Sequence, residues 1–336
     1  MRVPADRATP ARPPVVYVTR PLPEPGTAPL VAAGFVVRQH EPDRPPTRAE
    51  LLAGAADADA VVALLTDRID EEVLAAAPRL QVVANVAVGF DNIDVAACTA
   101  HGVLATNTPG VLTEATADLA WALLLAAARR IGEGERLVRS GGWAGWSPTQ
   151  LVGAPVHGRT IGIVGLGAIG TAVARRARGF GMEILYTARH RHEAAEAETG
   201  ATRVPLHELL ARSDVVSLHT PLTAETRHLI DTDALARMRS TAILVNTARG
   251  PVVDEIALVA ALRSRCIAAA GLDVFEHEPA LEPGLLELDN VVVLPHLGSA
   301  TTEARAEMVG LACANVVAAL TGGDPPTPLN PEVLGR

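Results

Sequence analysis

Lysine is absent from this chain: all 29 strongly basic residues are arginine. That excludes a lysine Schiff base, and with it ordinary pyridoxal-phosphate chemistry. It also excludes a phosphate loop that ends in lysine. Aromatic residues make up only 3% of the chain, so a core must be built mainly from Ala, Val and Leu. The three cysteines, Cys98, Cys266 and Cys313, are scattered, with neither metal-ligand spacing nor a paired framework. They read as small buried residues of a reducing compartment, and no metal site is expected. Positive charge is in deficit: the net charge of −9 argues against a nucleic-acid surface. Long apolar runs are missing too. Trp121 to Ala128 is apolar but short, and Arg129-Arg130 end it, so no membrane span is expected. Residues 1–14 are rich in Arg and Pro and lack the hydrophobic stretch of a secretory signal. They read as a disordered tail on a cytoplasmic protein.

What is present is organised around Thr160 to Ala174. Ile161, Ile163 and Val164 form the apolar run of a parallel strand covered on both faces. Gly165, Gly167 and Gly170 follow with the spacing G-x-G-x-x-G, and a helical stretch from Ala168 to Ala177 comes next. The first glycine suits a tight turn, the second a close approach of backbone to a pyrophosphate, the third a close helix–strand contact. A helix N-terminus at this point offers N–H groups to an anion. Such a motif alone is weak, but a second strand, Glu183 to Tyr186, lies at the right distance. After it, no Asp or Glu occurs between Ile184 and His192 to accept from a ribose 2′-hydroxyl. Thr187, Arg189, His190 and Arg191 offer donors and positive charge instead. A guanidinium binds a 2′-phosphate well, so an NADP(H) preference is expected, with NAD(H) use left open.

At 336 residues, 49% apolar and 20% charged, the chain has room for two globular domains. Strands are expected at 15–18, 35–37, 60–64, 81–85 and 103–105, with helices at 26–33, 47–53 and 70–77. Thr47 is the expected N-cap of the second of these helices. This alternation is a small α/β domain completed before the glycine motif is reached. One long helix is expected over 113–130, then a less regular stretch over 132–153 carrying Trp143 and Trp146. Two tryptophans there are either packed under a loop or form an arm that buries against another subunit. Six further strands, 161–164, 183–186, 215–218, 242–246, 269–273 and 291–294, would make a full dinucleotide-binding sheet. A last helix is expected over 300–320. The fold expected is α/β, two doubly wound parallel-sheet domains. A Rossmann domain (112–299) is inserted into a flavodoxin-like domain (15–111 with 300–336).

Three strand ends of the second half carry distinctive residues: Arg249 after one, Glu278 after the next, His296 after the last. In an open α/β sheet the carboxyl ends of strands face the ligand crevice. The three side chains suit ketoacid reduction. Arg249 can hold a carboxylate and polarise the adjacent carbonyl. His296 can protonate the carbonyl oxygen as hydride arrives. Glu278, paired to His296, would favour the imidazolium. Each residue alone is more often structural; the set, behind a nucleotide motif, is not.

At this point the chain resembles the D-isomer-specific 2-hydroxyacid dehydrogenase family, most closely its glyoxylate/hydroxypyruvate reductase branch. The resemblance runs from about Val15 onward. It rests on Ala84 to Asp94, Thr106-Asn107-Thr108-Pro109, the glycine turn and the three strand-end stretches. It implies that Arg249, Glu278 and His296 are the catalytic set, with His296 as proton donor. It implies that backbone N–H groups of Val88 and Gly89 hold the substrate carboxylate and that Leu65 lines the pocket. Cofactor contacts are implied at Thr113, at Leu166, Ala168 and Ile169 of the turn, and at Ala188, Arg189 and His190. More are implied at Thr220, Pro221, Thr247, Ala248, Arg249, Asp273, His296 and Gly298. A homodimer is implied, with Trp146 reaching the partner's site. The expected activity is NADPH-preferring reduction of glyoxylate and hydroxypyruvate. Another 2-ketoacid such as phenylpyruvate, or D-3-phosphoglycerate, is the enzymatic alternative. An NAD(H)-sensing co-repressor-like module is the alternative of another class.

Overall fold

The computed structural model describes residues 12–335. The tail expected over residues 1–14 therefore lies outside the described residues up to residue 11. Arg12 ion-pairs with buried Asp59 at 3.1 Å, so the expected tail is shorter at that end.

The chain divides into two compact units, residues up to 112 with 301 onward, and Thr113–Ala300. Unit 1 begins β1 (Val15–Val18), α1 (Ala28–Ala32), β2 (Val36–Gln39), α2 (Arg48–Ala55), β3 (Ala60–Ala63), α3 (Glu71–Ala76), β4 (Val82–Asn85), α4 (Val95–Ala100) and β5 (Leu104–Thr106). The five strands are parallel in the order β2-β1-β3-β4-β5. β1, β3 and β4 are runs such as Val-Val-Tyr-Val and Ala-Val-Val-Ala, buried at every position. That is the signature of strands covered on both faces. Helix starts follow local chemistry. Thr47 and Glu50 form a reciprocal capping box, and Asp70 and Asp94 each accept from the amide three residues on.

Unit 2 contains α5 (Thr113–Ala128), α6 (Ile131–Arg139), β6 (Thr160–Val164), α7 (Ala168–Gly179), β7 (Glu183–Thr187), α8 (Glu193–Thr199), β8 (Thr202–Arg203) and α9 (Leu206–Arg212). It continues through β9 (Val215–Leu218), α10 (Thr232–Arg237), β10 (Ile243–Asn246), α11 (Glu255–Arg263), β11 (Ala269–Leu272), α12 (Pro283–Leu286) and β12 (Val291–Val293). Its seven parallel strands run β12-β11-β10-β9-β6-β7-β8, so strand order reverses between β6 and β9, beside the glycine turn. Trp121 of α5 stacks on Phe180 with ring centroids 4.5 Å apart and donates to the Val173 carbonyl at 3.2 Å, which locks α5 onto α7.

Two elements of unit 2 differ from expectation. The seventh strand, β8, is a two-residue exposed edge with no apolar run to announce it. Helix α6 occupies ground expected to be irregular. Arg130, at φ 54°, breaks the helix that precedes it, and Gly132 and Gly134 mask the helical pattern. Arg130–Glu133 and Arg139–Glu135 pairs support the helix.

Unit 1 is completed by α13 (Thr302–Thr321), capped by Thr301 and ended by left-handed Gly322. By length and hydropathy (mean 1.3) it would pass as a membrane span. Its inward stripe of Ala304, Met308, Val309, Ala312, Cys313 and Val316 is instead buried in unit 1 over β3, β4 and β5. Asn315 on the same helix bonds Thr327 Oγ1 at 2.8 Å.

Burial pushes the Cys98 thiol up to about 12, helped by Asp94, and the Cys313 thiol up to about 11. Since the thiolate is the reactive form, a disulfide reagent at pH 8 should label at most one thiol, Cys266, in the native protein and three in denaturant. Rapid native labelling of all three would contradict this packing.

Candidate active site

The site in unit 2 starts from the turn between β6 and α7. Gly165 has φ +95°, and an added Cβ there would lie 2.5 Å from the His219 carbonyl oxygen. A Cβ on Gly170 would lie 2.1 Å from the Gly165 oxygen, so the helix and turn meet only through glycine. Gly167 faces open space and caps α7 without any side-chain bond, which leaves the first-turn N–H groups to a ligand. Nearby in sequence to the catalytic candidates, the Thr247 hydroxyl is buried with no hydrogen-bond partner among the described residues. An anion-accepting helix start, a glycine cradle and an orphan hydroxyl fit a bound dinucleotide.

Arg249 follows β10 in a turn made by Asn246. That buried amide accepts from Ala248 N and donates to the Arg249 carbonyl, both at 3.0 Å. The next residue, Gly250, lies against the loop after β11: a Cβ there would sit 1.9 Å from the Phe275 carbonyl. Close backbone approach therefore sets Arg249 beside the loop that carries Glu278. That loop is held from below by Glu255, in the first turn of α11, whose two oxygens accept from Glu276 N at 2.5 Å and Glu282 N at 3.1 Å. Arg227 and His228 converge on Glu276 at 2.9 and 2.7 Å and fix its other side.

Glu278 Oε1 accepts from Phe275 N at 3.0 Å, and Oε2 meets His296 Nδ1 at 2.9 Å. Burial opposes ionisation of Glu278, but the His296 hydrogen bond and charge outweigh it, with help from Phe275 N–H and Arg249. The carboxyl is held below its usual range. His296 itself sits at φ 57°, a left-handed backbone that costs a non-glycine residue energy. Its N–H donates to the Asp273 carbonyl at 2.9 Å. The Asp273 carboxylate takes the next two amides, Leu297 N at 2.7 Å and Gly298 N at 2.8 Å. Thr116 Oγ1 then donates to the Gly298 carbonyl at 3.0 Å. Arg249, Glu278 and His296 are thus brought to one edge of the sheet. Asp273, expected as a cofactor contact, has both oxygens committed to the turn after His296.

The other expected residues fall as follows. Thr113 opens α5. Thr220 and Pro221 follow β9, where the Pro221 carbonyl accepts from Thr226 Oγ1 at 2.7 Å. Ala188 and Arg189 carry carbonyls that accept from Arg203 at 2.9 and 3.2 Å, and the Arg189 and His190 side chains are exposed. Arg191 does not offer its charge as expected. It is paired with Glu196 at 2.8 Å, and Glu196 also accepts from Tyr186 OH at 2.5 Å. Glu255 was missed in the sequence because it acts on a loop distant along the chain, and Glu196 because an acid in the first turn of a helix gives no sign of which neighbouring arginine it pairs with. In unit 1, Leu65 lies in the loop after β3, and Val88 and Gly89 in the loop after β4, all half-buried. Trp146 is 83% exposed, so it is not packed under its own loop.

The model of the D-isomer specific 2-hydroxyacid dehydrogenase NAD binding domain matches residues 121–298. A glyoxylate reductase of Thermococcus onnurineus is 53% identical over 325 residues, covering 96% of this chain and 97% of the relative. One of Pyrococcus furiosus is 51% identical over 96% of each chain. Among solved structures, a Thermus thermophilus protein superposes with a TM-score of 0.88 at 45% identity, over 94% of this chain and 99% of that one. The NADPH-dependent glyoxylate/hydroxypyruvate reductase of Sinorhizobium meliloti, in complex with NADP and malonate, gives 0.82 at 35% identity, over 95% and 97%. Seven parallel strands wound about a glycine turn, with Arg249, Glu278 and His296 on successive strand ends, agree with these matches. The chain belongs to the D-isomer specific 2-hydroxyacid dehydrogenase family, NAD(P)-dependent oxidoreductases built on a Rossmann domain.

Proposed function

We propose that this enzyme reduces glyoxylate to glycolate and hydroxypyruvate to D-glycerate, with NADPH preferred over NADH. The observation that carries the reading is the Glu278–His296 pair at 2.9 Å, on the strand edge that also bears Arg249 and the dinucleotide turn. Relatives at about half identity are glyoxylate reductases, which supports the substrate class. Bound nicotinamide supplies the hydride. Arg249 binds the ketoacid and draws charge onto its carbonyl oxygen. With Nδ1 committed to Glu278, His296 Nε2 carries the proton that passes to that oxygen. Glu278 stabilises the imidazolium before transfer and orients the ring throughout. Val88 and Gly89 in unit 1 hold the substrate carboxylate through their N–H groups, and Leu65 lines the pocket. Leu166, Ala168 and Ile169 hold the pyrophosphate, and Thr113, Thr220, Pro221, Thr247, Ala248 and Gly298 surround the rest of the cofactor.

The preference for NADPH is supported by the absence of a carboxylate among residues 184–192 and by the exposed Arg189 guanidinium. A homodimer is supported by the arm after α5. Helix α6 has no buried residue, and Ile131, Val138, Trp143, Trp146 and Val152 are all exposed on this stretch. In this reading Trp146 reaches the partner's substrate site.

Initial rates of NADPH and NADH oxidation with glyoxylate, hydroxypyruvate, pyruvate and phenylpyruvate test the proposal. Fast turnover of the first two with NADPH is expected. Turnover of phenylpyruvate alone would move the substrate, and cofactor binding without any turnover would favour a sensing role. Arg189→Asp should raise KM for NADPH by about 10- to 100-fold, the scale of a lost charge-assisted hydrogen bond, and that for NADH far less. Equal losses would remove the 2′-phosphate assignment.

Glu278→Gln should lower kcat/KM for reduction by at least about 100-fold at pH 7. In the native enzyme the Glu278 charge is present above the ordinary carboxylate range. It is lost only as pH falls through its depressed value, so the pair survives mild acid. A Glu278→Gln variant with near-native kcat/KM would count against the Glu278–His296 pair as the proton-donating set. By sedimentation the native protein should be a dimer at micromolar concentration, and Trp146→Ala should raise the glyoxylate KM. A monomer with full activity would defeat the arm reading.

A further inference from the structure

In the unit 1 loop after β4, three consecutive carbonyls are each taken by the protein. The Ala87 oxygen accepts from Thr108 N at 2.9 Å. The Val88 oxygen accepts from Asn107 Nδ2 at 2.8 Å, and the Gly89 oxygen from Asn85 Nδ2 at 2.9 Å. A trans peptide points its C=O and N–H in opposite directions. These three bonds therefore turn the N–H groups of Val88, Gly89 and Phe90 away from the groups that hold the carbonyls. Among the described residues, none of those three N–H groups donates to a protein acceptor. Val88 and Gly89 are half-buried and Phe90 is exposed, so the three donors stand on an accessible side of the loop, where an incoming acceptor can reach them.

The two amides that do the holding are themselves fixed. Asn85 is fully buried and Asn107 nearly so. Asn85 Nδ2 also meets Asn92 Oδ1 at 3.1 Å, and Asn92 Nδ2 donates to the carbonyls of Leu64 and Asp67, both at 3.0 Å. Buried Asp67 closes the network, accepting from Leu64 N at 2.8 Å and Thr19 Oγ1 at 2.5 Å. On the other side, the Asn107 carbonyl accepts from Thr327 Oγ1 at 2.6 Å. One network thus ties the loop that carries Leu65 to the loop that carries Val88 and Gly89. A primary amide is required at both positions: it donates to a carbonyl while adding no buried charge, and a carboxylate would face that carbonyl with lone pairs.

We infer that Asn107 and Asn85 are positioning residues for the substrate carboxylate, which aim the Gly89 and Phe90 N–H groups by holding the Val88 and Gly89 carbonyls. Phe90 N–H joins the loop as a third donor. The inference rests on the reading of Val88-Gly89 as the carboxylate-binding loop.

The test uses the holoenzyme saturated with NADPH, or NADH should that bind more tightly, and oxamate as the carboxylate probe, measured by calorimetry. Asn107→Ala should raise the oxamate Kd and the glyoxylate KM about tenfold, the scale of one lost hydrogen bond. It should leave kcat within about threefold and the cofactor Kd unchanged, as expected for a loss of uniform binding. Asn107→Asp, which keeps size, and Asn85→Ser provide folded alternatives and should behave alike. Unchanged oxamate affinity in a variant with native cofactor affinity would overturn the inference. So would equal losses for oxamate and cofactor, which would mean general disorder. Gly89→Pro, which removes one N–H outright, separates the two readings. If it spares oxamate binding, the loop holds no carboxylate and both readings fall. If it weakens binding while the asparagine variants do not, the loop reading stands and the positioning role falls.

Discussion

Parallel strands that stop at one edge of a sheet leave their last backbone groups without ladder partners. In this chain buried amides and carboxylates supply them. Asn85 and Asn246 are the last residues of β4 and β10, and Asp273 follows β11 directly. Each turns its side chain onto the loop it has just begun or onto the next strand's loop. Leaving such groups unpaired would cost about 1–3 kcal/mol each. The residues that close the sheet therefore also fix the shape of the loops. In both units those loops are the ones that carry the functional candidates, so fold stability and site geometry depend on the same hydrogen bonds.

Two carboxylates of unit 2 show how environment divides such roles. Asp273 is buried, and burial dominates: its carboxyl is pushed up although Leu297 N–H, the His296 charge and Gly298 N–H pull it down. Glu278, five residues on, also suffers burial, yet His296 and Arg249 bring it below the ordinary range. The difference lies in the bonds each makes. Asp273 gives both oxygens to backbone amides and holds the left-handed turn of His296. Glu278 gives one oxygen to the imidazole and stays ionised beside it. Neighbouring acids pushed in opposite directions are a recurring mark of a divided site.

Much of this was legible from sequence, for identifiable reasons. The glycine turn and the buried strands are local patterns, readable without knowledge of the fold. Arg249, Glu278 and His296 could be grouped because each follows a strand, and parallel topology puts strand ends on one edge. What stayed hidden depends on distant partners. Glu255 looks like an ordinary first-turn acid, and only the fold brings it under the 276–282 backbone. β8 is too short and exposed to carry a hydrophobic period. Helix α6 was obscured by two glycines and is held together by ion pairs on an otherwise exposed surface. The amides of Asn85 and Asn107 belonged to a recognisable motif, but their action on specific carbonyls is a matter of geometry.

The arginines after β7 show the same limit at a single position. Sequence places Arg189 and Arg191 side by side as equivalent positive charges at the end of the strand. The fold separates them. Glu196 on α8 takes Arg191 at 2.8 Å, together with the Tyr186 hydroxyl, and in doing so ties the loop to the helix. An exposed pair of this kind adds little stability by itself. Its effect is on charge: it neutralises a carboxylate that would otherwise stand beside the loop after β7. Arg203 meanwhile holds the carbonyls of Ala188 and Arg189, which sets the path of the loop while the Arg189 side chain remains exposed. A guanidinium can bridge two carbonyls with its planar set of donors. In a chain without lysine, one arginine cancels an acid, a second shapes the loop, and a third, Arg189, stays exposed at the end of the strand.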